Sequence, residues 1–402
     1  MRSKCVYLFV AVTVVMGLLA GAAACAPAEK TVTVTETAPA ITVTQTKTTT
    51  VTVTVTAAPE PIRWKMQSAW PGGPADLHHV CAEMVAERIE RMSGGRIQID
   101  LSVAGTIVPA FEIMDAVSTG VLDAGHVWPG YWVGKNSAFT LFASAAGGPY
   151  GMDALDWLGW FYKGGGLELY RELHDKMGYN VVGFATFPEI PEPQGWFAEP
   201  VTTLEQFKGL KFRAAGLAAE VFKELGMTVV TLPGGEIVPT LEKGAIDAAE
   251  FSDPSTDMSF GFQDVVKYYH LPGIHQPTGM MELLVNKDVW EGLPEDLKWI
   301  VDGACEATTL AAWAMWINQN VIDLEWLVEE AGVILVETPQ EILLEVLKAW
   351  DVVAAREAAA NPDFAKILES QKEFAARNVP YRRWAHPDYD LAGEYYWPKK
   401  KK

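Results

Sequence analysis

Two short motifs occur twice in this chain, and the repeat limits what the chain can fold into. Residues 105–109 read Gly-Thr-Ile-Val-Pro, and residues 235–239 read Gly-Glu-Ile-Val-Pro. Downstream of each comes a second echo, Gly120-Val-Leu-Asp-Ala124 and Gly244-Ala-Ile-Asp-Ala248. A proline that opens a helix, a glycine that closes it and an apolar run beyond predict a helix feeding a buried strand. Made twice, that unit predicts two lobes on similar plans. In the second copy the strand delivers Glu250-Phe251 to its carboxyl end, which faces the ligand crevice in open α/β sheets. The binding site is expected there.

The chain before this region is not globular in composition. Arg2 and Lys4 precede an apolar run from Val6 to Ala20, then Gly21-Ala-Ala-Ala-Cys25. This is the pattern of an export signal. Cys25 after three alanines is similar to a lipoprotein processing site, although Ala22 stands where leucine is usual; ordinary signal cleavage is the alternative. Residues 1–25 are therefore read as a lipoprotein-type signal peptide. Residues 26–60 are dominated by Thr, Val and Ala. Their alternation fits a strand, but with no core to cover they are read as a disordered, solvated spacer.

From Pro61 the pattern alternates strand and helix, which indicates an α/β protein. Ile62–Ser68 reads as a strand, and Asp76 caps a helix running to Met92. Residues 96–103 read as the next strand, residues 153–177 as a helix broken at Gly164–Gly166, and Val181–Phe187 as another strand. Residues 296–327 and 339–360 read as long C-terminal helices. The formal net charge is −19, with no basic stretch beyond Lys399–Lys402, which argues against nucleic acid as a partner. The lysine run is read as a solvated end or a cloning remnant. The 15 tryptophans are either core or the walls of an aromatic cleft.

Hydrolase, zincin, nucleotide-loop and Cys-x-x-Cys signatures are absent. Arg213 ends the short strand Leu210-Lys-Phe-Arg213, where its planar fork can grip a carboxylate in a way lysine cannot. Glu250 closes an apolar run, and a carboxylate buried there requires a cation: Arg213 or a metal ion. The Phe251 carbonyl, Glu192, Gln194 and Gln276 are candidate further oxygen donors. His270 and His275 are read as loop histidines. Cys81 and Cys305 are the thiols left in the exported body, and their pairing stays open.

With those residues in place, the chain resembles the solute-binding proteins of tripartite ATP-independent periplasmic (TRAP) transporters. The resemblance covers residues 62–380. It is carried by Gly105–Pro109, Gly120–Ala124, Gly195-Trp-Phe197, Leu210–Arg213, Pro233–Pro239, Gly244–Glu250 and Lys267-Tyr-Tyr269 before Pro272-Gly273. It is strongest to the branch that binds 2-oxo or 2-hydroxy monocarboxylates with a metal ion. The resemblance implies a two-lobed periplasmic-binding-protein-like clamshell with long C-terminal helices. Its lobes would be residues 61–186 with part of 275–315, and 187–274 with part of 316–402; residues 316–380 would hold the C-terminal helices. It further implies that Arg213 grips the substrate carboxylate, with Glu192, Gln276, Phe251, Trp70, Trp128 and Tyr131 around the substrate. Glu250 and the Phe251 carbonyl, with Glu192 and Gln276, would bind Na+ or Ca2+. Phe251 stands where that branch often has Trp, and Glu192 and Gln276 exchange the branch's Gln and Glu.

The expectation is an extracytoplasmic, non-catalytic subunit, lipid-anchored at Cys25, that hands a small organic acid to TRAP membrane subunits, with a homodimer as a further expectation. The alternatives are a polyol or aromatic-acid ligand, a sensor ectodomain, and a secreted metal-dependent hydrolase using Glu250.

Overall fold

The computed structural model describes residues 29–34, 49–54 and 60–398. Residues 1–25, expected to be a signal peptide with Cys25 at its end, lie outside the described residues. Two units are distinguished, residues 1–61 and residues 62–402. In the first, β1 (Glu29–Val34) and β2 (Thr49–Thr54) pair antiparallel, with Glu29 opposite Thr54. This differs from the solvated spacer expected of that composition. The β-branched Thr and Val that fill both segments favour extended backbone, which is the physical reason for a ladder.

In the second unit the strands are β3 (Ile62–Ser68), β4 (Ile97–Ser102), β5 (Ala124–Val127), β6 (Val181–Pro188), β7 (Gly195–Phe197), β8 (Lys211–Arg213), β9 (Thr228–Val230), β10 (Ala248–Ala249), β11 (Tyr268–Leu271), β12 (Met280–Asn286) and β13 (Ile334–Glu337). They form two sheets, ordered β4-β3-β5-β12-β6 and β9-β8-β10-β7-β11-β13. The plans correspond. Each has a parallel trio (β4-β3-β5 and β9-β8-β10) followed by one antiparallel strand, β12 or β7.

The repeated Gly-x-x-Asp-Ala is what sets this correspondence. Gly120 and Gly244 both take positive φ, +77° and +66°, after their helices. The Asp three residues on then ties its strand to the parallel neighbour by the same two bonds. Lys65 N donates to Asp123 Oδ2 (2.7 Å) and Asp123 N to Lys65 O (2.9 Å); Lys211 N donates to Asp247 Oδ2 (2.9 Å) and Asp247 N to Lys211 O (2.8 Å).

The other echo does not correspond. Pro109 precedes its helical segment, as expected, but residues 235–239 lie within the helix Gly234–Glu242, so Pro239 is internal. The spacing explains why. Pro109 stands eleven residues before Gly120 and Pro239 only five before Gly244, too few for a helix to begin at Pro239 and end at that glycine.

Asp76 caps the helix Leu77–Met92 as expected, accepting from His79 N. The late helices are Glu295–Glu329 (35 residues), Gln340–Ala360 and Pro362–Ala385, the last beyond what the sequence pattern indicated. Among the described residues no helix is long and apolar enough to cross a membrane. Cys81 and Cys305 are both buried free thiols. The tryptophans divide: Trp64, Trp132, Trp157, Trp160, Trp196 and Trp316 are fully buried, whereas Trp70 and Trp128 line a cleft.

Candidate functional site

The cleft is built where the parallel strands of both sheets end. Trp70 follows β3, Trp128 follows β5, Arg213 is the last residue of β8 and Glu250 follows β10. All four line one cavity of about 280 Å³ of atom-free space, with His78, Tyr131, Glu189, Glu192, Ala215, Phe251, Gln276 and Met281. Part of that space is open to solvent, and what is enclosed has room for few atoms. The ligand it suits is small.

Two segments that run between the sheets bring Glu192 and Gln276 into the cavity, and hydrogen bonds join them along their length. Gln194 N donates to His270 O (2.8 Å), Gly273 N to Glu192 O (3.1 Å), Glu192 N to Gln276 O (3.1 Å) and Glu189 N to Gly279 O (3.0 Å). The approach is close enough to demand glycine. A Cβ at Gly273 would collide with the Glu192 carbonyl, and one at Gly279 with the Ala143 carbonyl. With the backbones held this close, Gln276 Nε2 donates to Glu192 Oε1 at 2.9 Å.

Arg213 is 1% exposed. Its Nη1 donates to Glu250 Oε1 and to Glu250 O, both at 2.9 Å; its Nε and Nη2 donate to Leu232 O at 3.0 and 2.9 Å. Those four bonds leave one of the five guanidinium N–H groups free. Glu250 Oε1 also accepts from Ala215 N (3.0 Å), and Phe251 places its ring 5.3 Å from the guanidinium carbon. Arg213 is thus one of the two cations expected to meet the buried Glu250, and parallel pairing of β8 with β10 makes the contact.

Charge in the cavity does not balance. Glu189, Glu192 and Glu250 are all buried around a single arginine. Burial pushes the Glu192 carboxyl well up, and the Glu250 charge adds to it; burial also raises Glu250, held back by the Arg213 guanidinium. Glu192 Oε2, Glu250 Oε2, Glu189 Oε2 and Gln276 Oε1 are buried without a hydrogen-bond partner. Such groups cost several kcal/mol unless something meets them. His275 completes the set. Its Nε2 lies 3.3 Å from Glu192 Oε2 and 4.0 Å from Glu250 Oε2, and ligand atoms of Glu192, Glu250 and His275 all fall within 4.8 Å of one another. Burial lowers the His275 pKa to about 3, so the ring is neutral with a lone pair available. Unpaired carboxylate and amide oxygens around an uncompensated negative charge fit a hard cation.

Of the residues expected in the site, Arg213, Glu192, Trp70, Trp128, Tyr131, Glu250, Phe251 and Gln276 line the cavity, whereas Gln194 does not. Glu189, His78, Ala215 and Met281 join them unforeseen, and His275 stands behind the carboxylates. The two late histidines are not surface loop residues. His270 lies within β11 and His275 is 1% exposed. Nothing local marks His275 as buried; only the backbone pairing of its segment with residues 189–194 encloses it.

The family profile of the DctP proteins, described as bacterial extracellular solute-binding protein, family 7, matches residues 70–360. The chain belongs to this family. A Nostoc monocarboxylate 2-oxoacid-binding periplasmic protein is 31% identical over 329 residues, 82% of this chain and 88% of its own. A TRAP transporter solute-binding protein from Bordetella bronchiseptica, solved with calcium and picolinate bound, is 30% identical with a TM-score of 0.77, covering 84% of this chain and 97% of that one. One from Pseudoalteromonas atlantica with sodium and pyruvate is 30% identical with a TM-score of 0.75, covering 83% and 98%. The protein is thus an extracytoplasmic TRAP solute-binding protein with the family's clamshell fold. Members of this family are transport subunits, not enzymes, so the reading of Glu250 as a hydrolase base is set aside.

Proposed function

We propose that this TRAP solute-binding protein captures a small 2-oxo or 2-hydroxy monocarboxylate together with a metal ion and presents it to the transporter's membrane subunits. The observation that carries the reading is the buried Glu192–Glu250–His275 group with its unpartnered carboxylate oxygens beside Arg213. Glu192, Glu250, Gln276 and the Phe251 carbonyl would hold the ion, with His275 beside them. When bound, the ion neutralises the excess negative charge and polarises the oxygens of an acid. Arg213 keeps one N–H for a carboxylate, while Trp70, Trp128, Tyr131 and Phe251 wall the small chamber and exclude water. Pyruvate and picolinate, bound by the relatives, share a carboxylate with a second donor atom on the neighbouring carbon. Both therefore offer an ion two adjacent donor atoms and Arg213 an anionic oxygen, and a polyol lacks the anion, which supports that class of acid over a polyol.

The lobes are assigned as residues 61–186 with part of 275–315, and 187–274 with part of 316–402; β12 in the first sheet and β13 in the second support that division. Closure of the two over ligand is the state the membrane subunits would recognise. Attachment through a lipidated Cys25 would keep the protein beside its transporter.

The test is thermal unfolding of the metal-stripped protein with pyruvate, lactate, longer 2-oxo acids, picolinate or mannitol, each with sodium, calcium or neither. Ligand at about 100 times its dissociation constant adds about 2.7 kcal/mol of stability. The midpoint is expected to rise with a 2-oxo or 2-hydroxy acid only when an ion is present. A rise with mannitol alone, or with acids regardless of ion, overturns the reading.

A further inference from the structure

Three carboxylates line the cleft, and the ion group accounts for two of them. Glu192 and Glu250 have ligand oxygens within 4.8 Å of each other and of His275, and Arg213 pairs with Glu250. Glu189 belongs to neither arrangement. It follows β6, and its N–H donates to Gly279 O at 3.0 Å, one residue before β12. Gly279 admits no Cβ there: one would overlap the Ala143 carbonyl and lie 3.1 Å from Glu189 Oε2. The carboxyl is thus held in the cavity wall, 5% exposed, and its Oε2 has no hydrogen-bond partner. The Trp128 indole N–H, in the same wall, is buried and unpartnered as well.

A carboxyl in this position can be ionised or protonated. Ionised, it needs a cation, and the one arginine of the cavity is committed to Glu250. Protonated, it needs none. Burial pushes Glu189 well up, the charges of Glu250 and Asp253 push it further, and the Trp128 indole only holds it back. Tyr131 and Glu192 also feel its charge, and neither brings a positive one. The surroundings therefore keep Glu189 neutral. A neutral carboxyl is a hydrogen-bond donor, with an O–H that a carboxylate lacks. A 2-oxo monocarboxylate is its complement, a set of acceptor oxygens with no donor. With an ion on the 2-oxo oxygen and one carboxylate oxygen, the other carboxylate oxygen keeps lone pairs for two donors.

We propose that Glu189 touches the bound acid and donates a hydrogen bond to one of its oxygens, so that the acid is held by two donors, the Arg213 guanidinium and the Glu189 carboxyl. The second donor adds grip without adding charge. It leaves an ammonium group unmet, so the cleft takes a 2-oxo acid and excludes the 2-amino acid of the same size. The proposal rests on the reading of the cleft as a site for an ion and an acid.

Calorimetry on the full chain measures pyruvate and L-alanine binding to the parent, Glu189→Gln and Glu189→Met. Each is measured at a saturating level of the ion, sodium or calcium, that supports binding by the parent. Glu189→Gln keeps the size and an N–H donor, and its affinity for pyruvate is expected to stay within about three-fold of the parent's. Glu189→Met keeps the length and loses the donor, and its dissociation constant is expected to rise roughly 10-fold or more. The ion titrated without acid is expected to bind all three alike, and L-alanine to bind none. Pyruvate bound equally well by the parent and Glu189→Met overturns the contact. Should Glu189→Met fail to fold, Glu189→Gln decides. A gain of about 10-fold in its affinity for pyruvate, or L-alanine bound by the parent and lost in Glu189→Gln, shows an ionised Glu189 and overturns the donor role. Weaker ion binding by Glu189→Gln makes Glu189 an ion ligand and overturns it too. A parent that binds no 2-oxo acid with either ion is a different result: the reading of the cleft then fails, and this proposal with it.

Discussion

Glu192 has less support than Glu250: Arg213 pairs with Glu250, whereas Glu192 receives only the Gln276 amide. Replacing Glu192 with Gln keeps the size and the Oε1 acceptor but removes a buried charge. The ion-free protein is therefore expected to be at least as stable as the parent, by ~1 kcal/mol or more, while the ion-dependent gain from added acid is lost. Urea unfolding with and without ion and pyruvate measures both quantities. A destabilised variant that still responds to the ion would show that Glu192 is a structural group. A second carboxyl, away from the cleft, makes stability depend on pH. Glu282 on β12 accepts from Trp132 Nε1 (2.7 Å) and from the Tyr170 hydroxyl, and burial pushes it up to about 7 from an ordinary 4.5. A raised carboxyl binds its proton more tightly when folded. Its contribution is therefore full below about pH 4.5 and is lost as pH climbs through about 7, by roughly 3 kcal/mol. Glu282→Gln should remove that part of the decline, visible as a flatter unfolding free energy between pH 5 and 8. At this scale the sequence announced Glu250 and Arg213 by their places at strand ends, and Glu192 only as a candidate oxygen donor in a loop. It did not announce Glu189, His275 or Glu282, because each is buried by segments distant in the chain.

The repeated Gly-x-x-Asp-Ala works as a strand-start device. Its glycine turns the chain out of a helix, and its aspartate closes the first rung of a parallel pair before the backbone ladder begins. Asp123→Ala and Asp247→Ala should each cost about 1–2 kcal/mol, since each removes one charge-assisted bond to a lysine amide at a partly exposed site. Asn at either position retains an acceptor and should recover most of the loss. Equal effects in chemical unfolding would establish the two as equivalents; a large loss at one and none at the other would falsify the pairing. Gly-x-Ile-Val-Pro shows how the same reasoning misleads. Five residues, four of them identical, sit in a loop in one copy and inside a helix in the other. The distance from the proline to the next helix-ending glycine decides between the two. The Thr/Val tract was read as a solvated spacer and not as a paired ladder, because alternation without a core does not say which strand it meets.

Closure of the whole molecule depends on groups that reach from one sheet's elements to the other's. Helix Leu77–Met92, beside the first sheet, presents His78, and the segment after β10 in the second presents Ser252; His78 Nε2 and Ser252 Oγ stand 3.2 Å apart. Ser252 Oγ donates its proton to Asp253 Oδ2 (2.8 Å), so it accepts from His78, which burial keeps neutral with a pKa lowered to about 3. The long helix Glu295–Glu329 spans the same divide. Thr309 Oγ1 donates to Ala185 O in β6 (3.5 Å), and Asn320 Oδ1 accepts from Ser255 N (2.9 Å). Its length was readable from the apolar period, and packing across both lobes or against another subunit was expected of a helix that long; the residues it meets were not legible, since they depend on where two sheets lie. Ser252 does not line the cavity, so its hydroxyl acts on ligand only through the closed arrangement. Ser252→Ala forfeits one hydrogen bond of about 1 kcal/mol that exists when the lobes are together. The dissociation constant for acid and ion should rise about five-fold, carried by faster release rather than slower capture, with the ion requirement unchanged. Stopped-flow tryptophan fluorescence separates the two rates. A change confined to the capture rate, or a loss of ion dependence, would mean that Ser252 shapes the cleft itself instead of holding it shut.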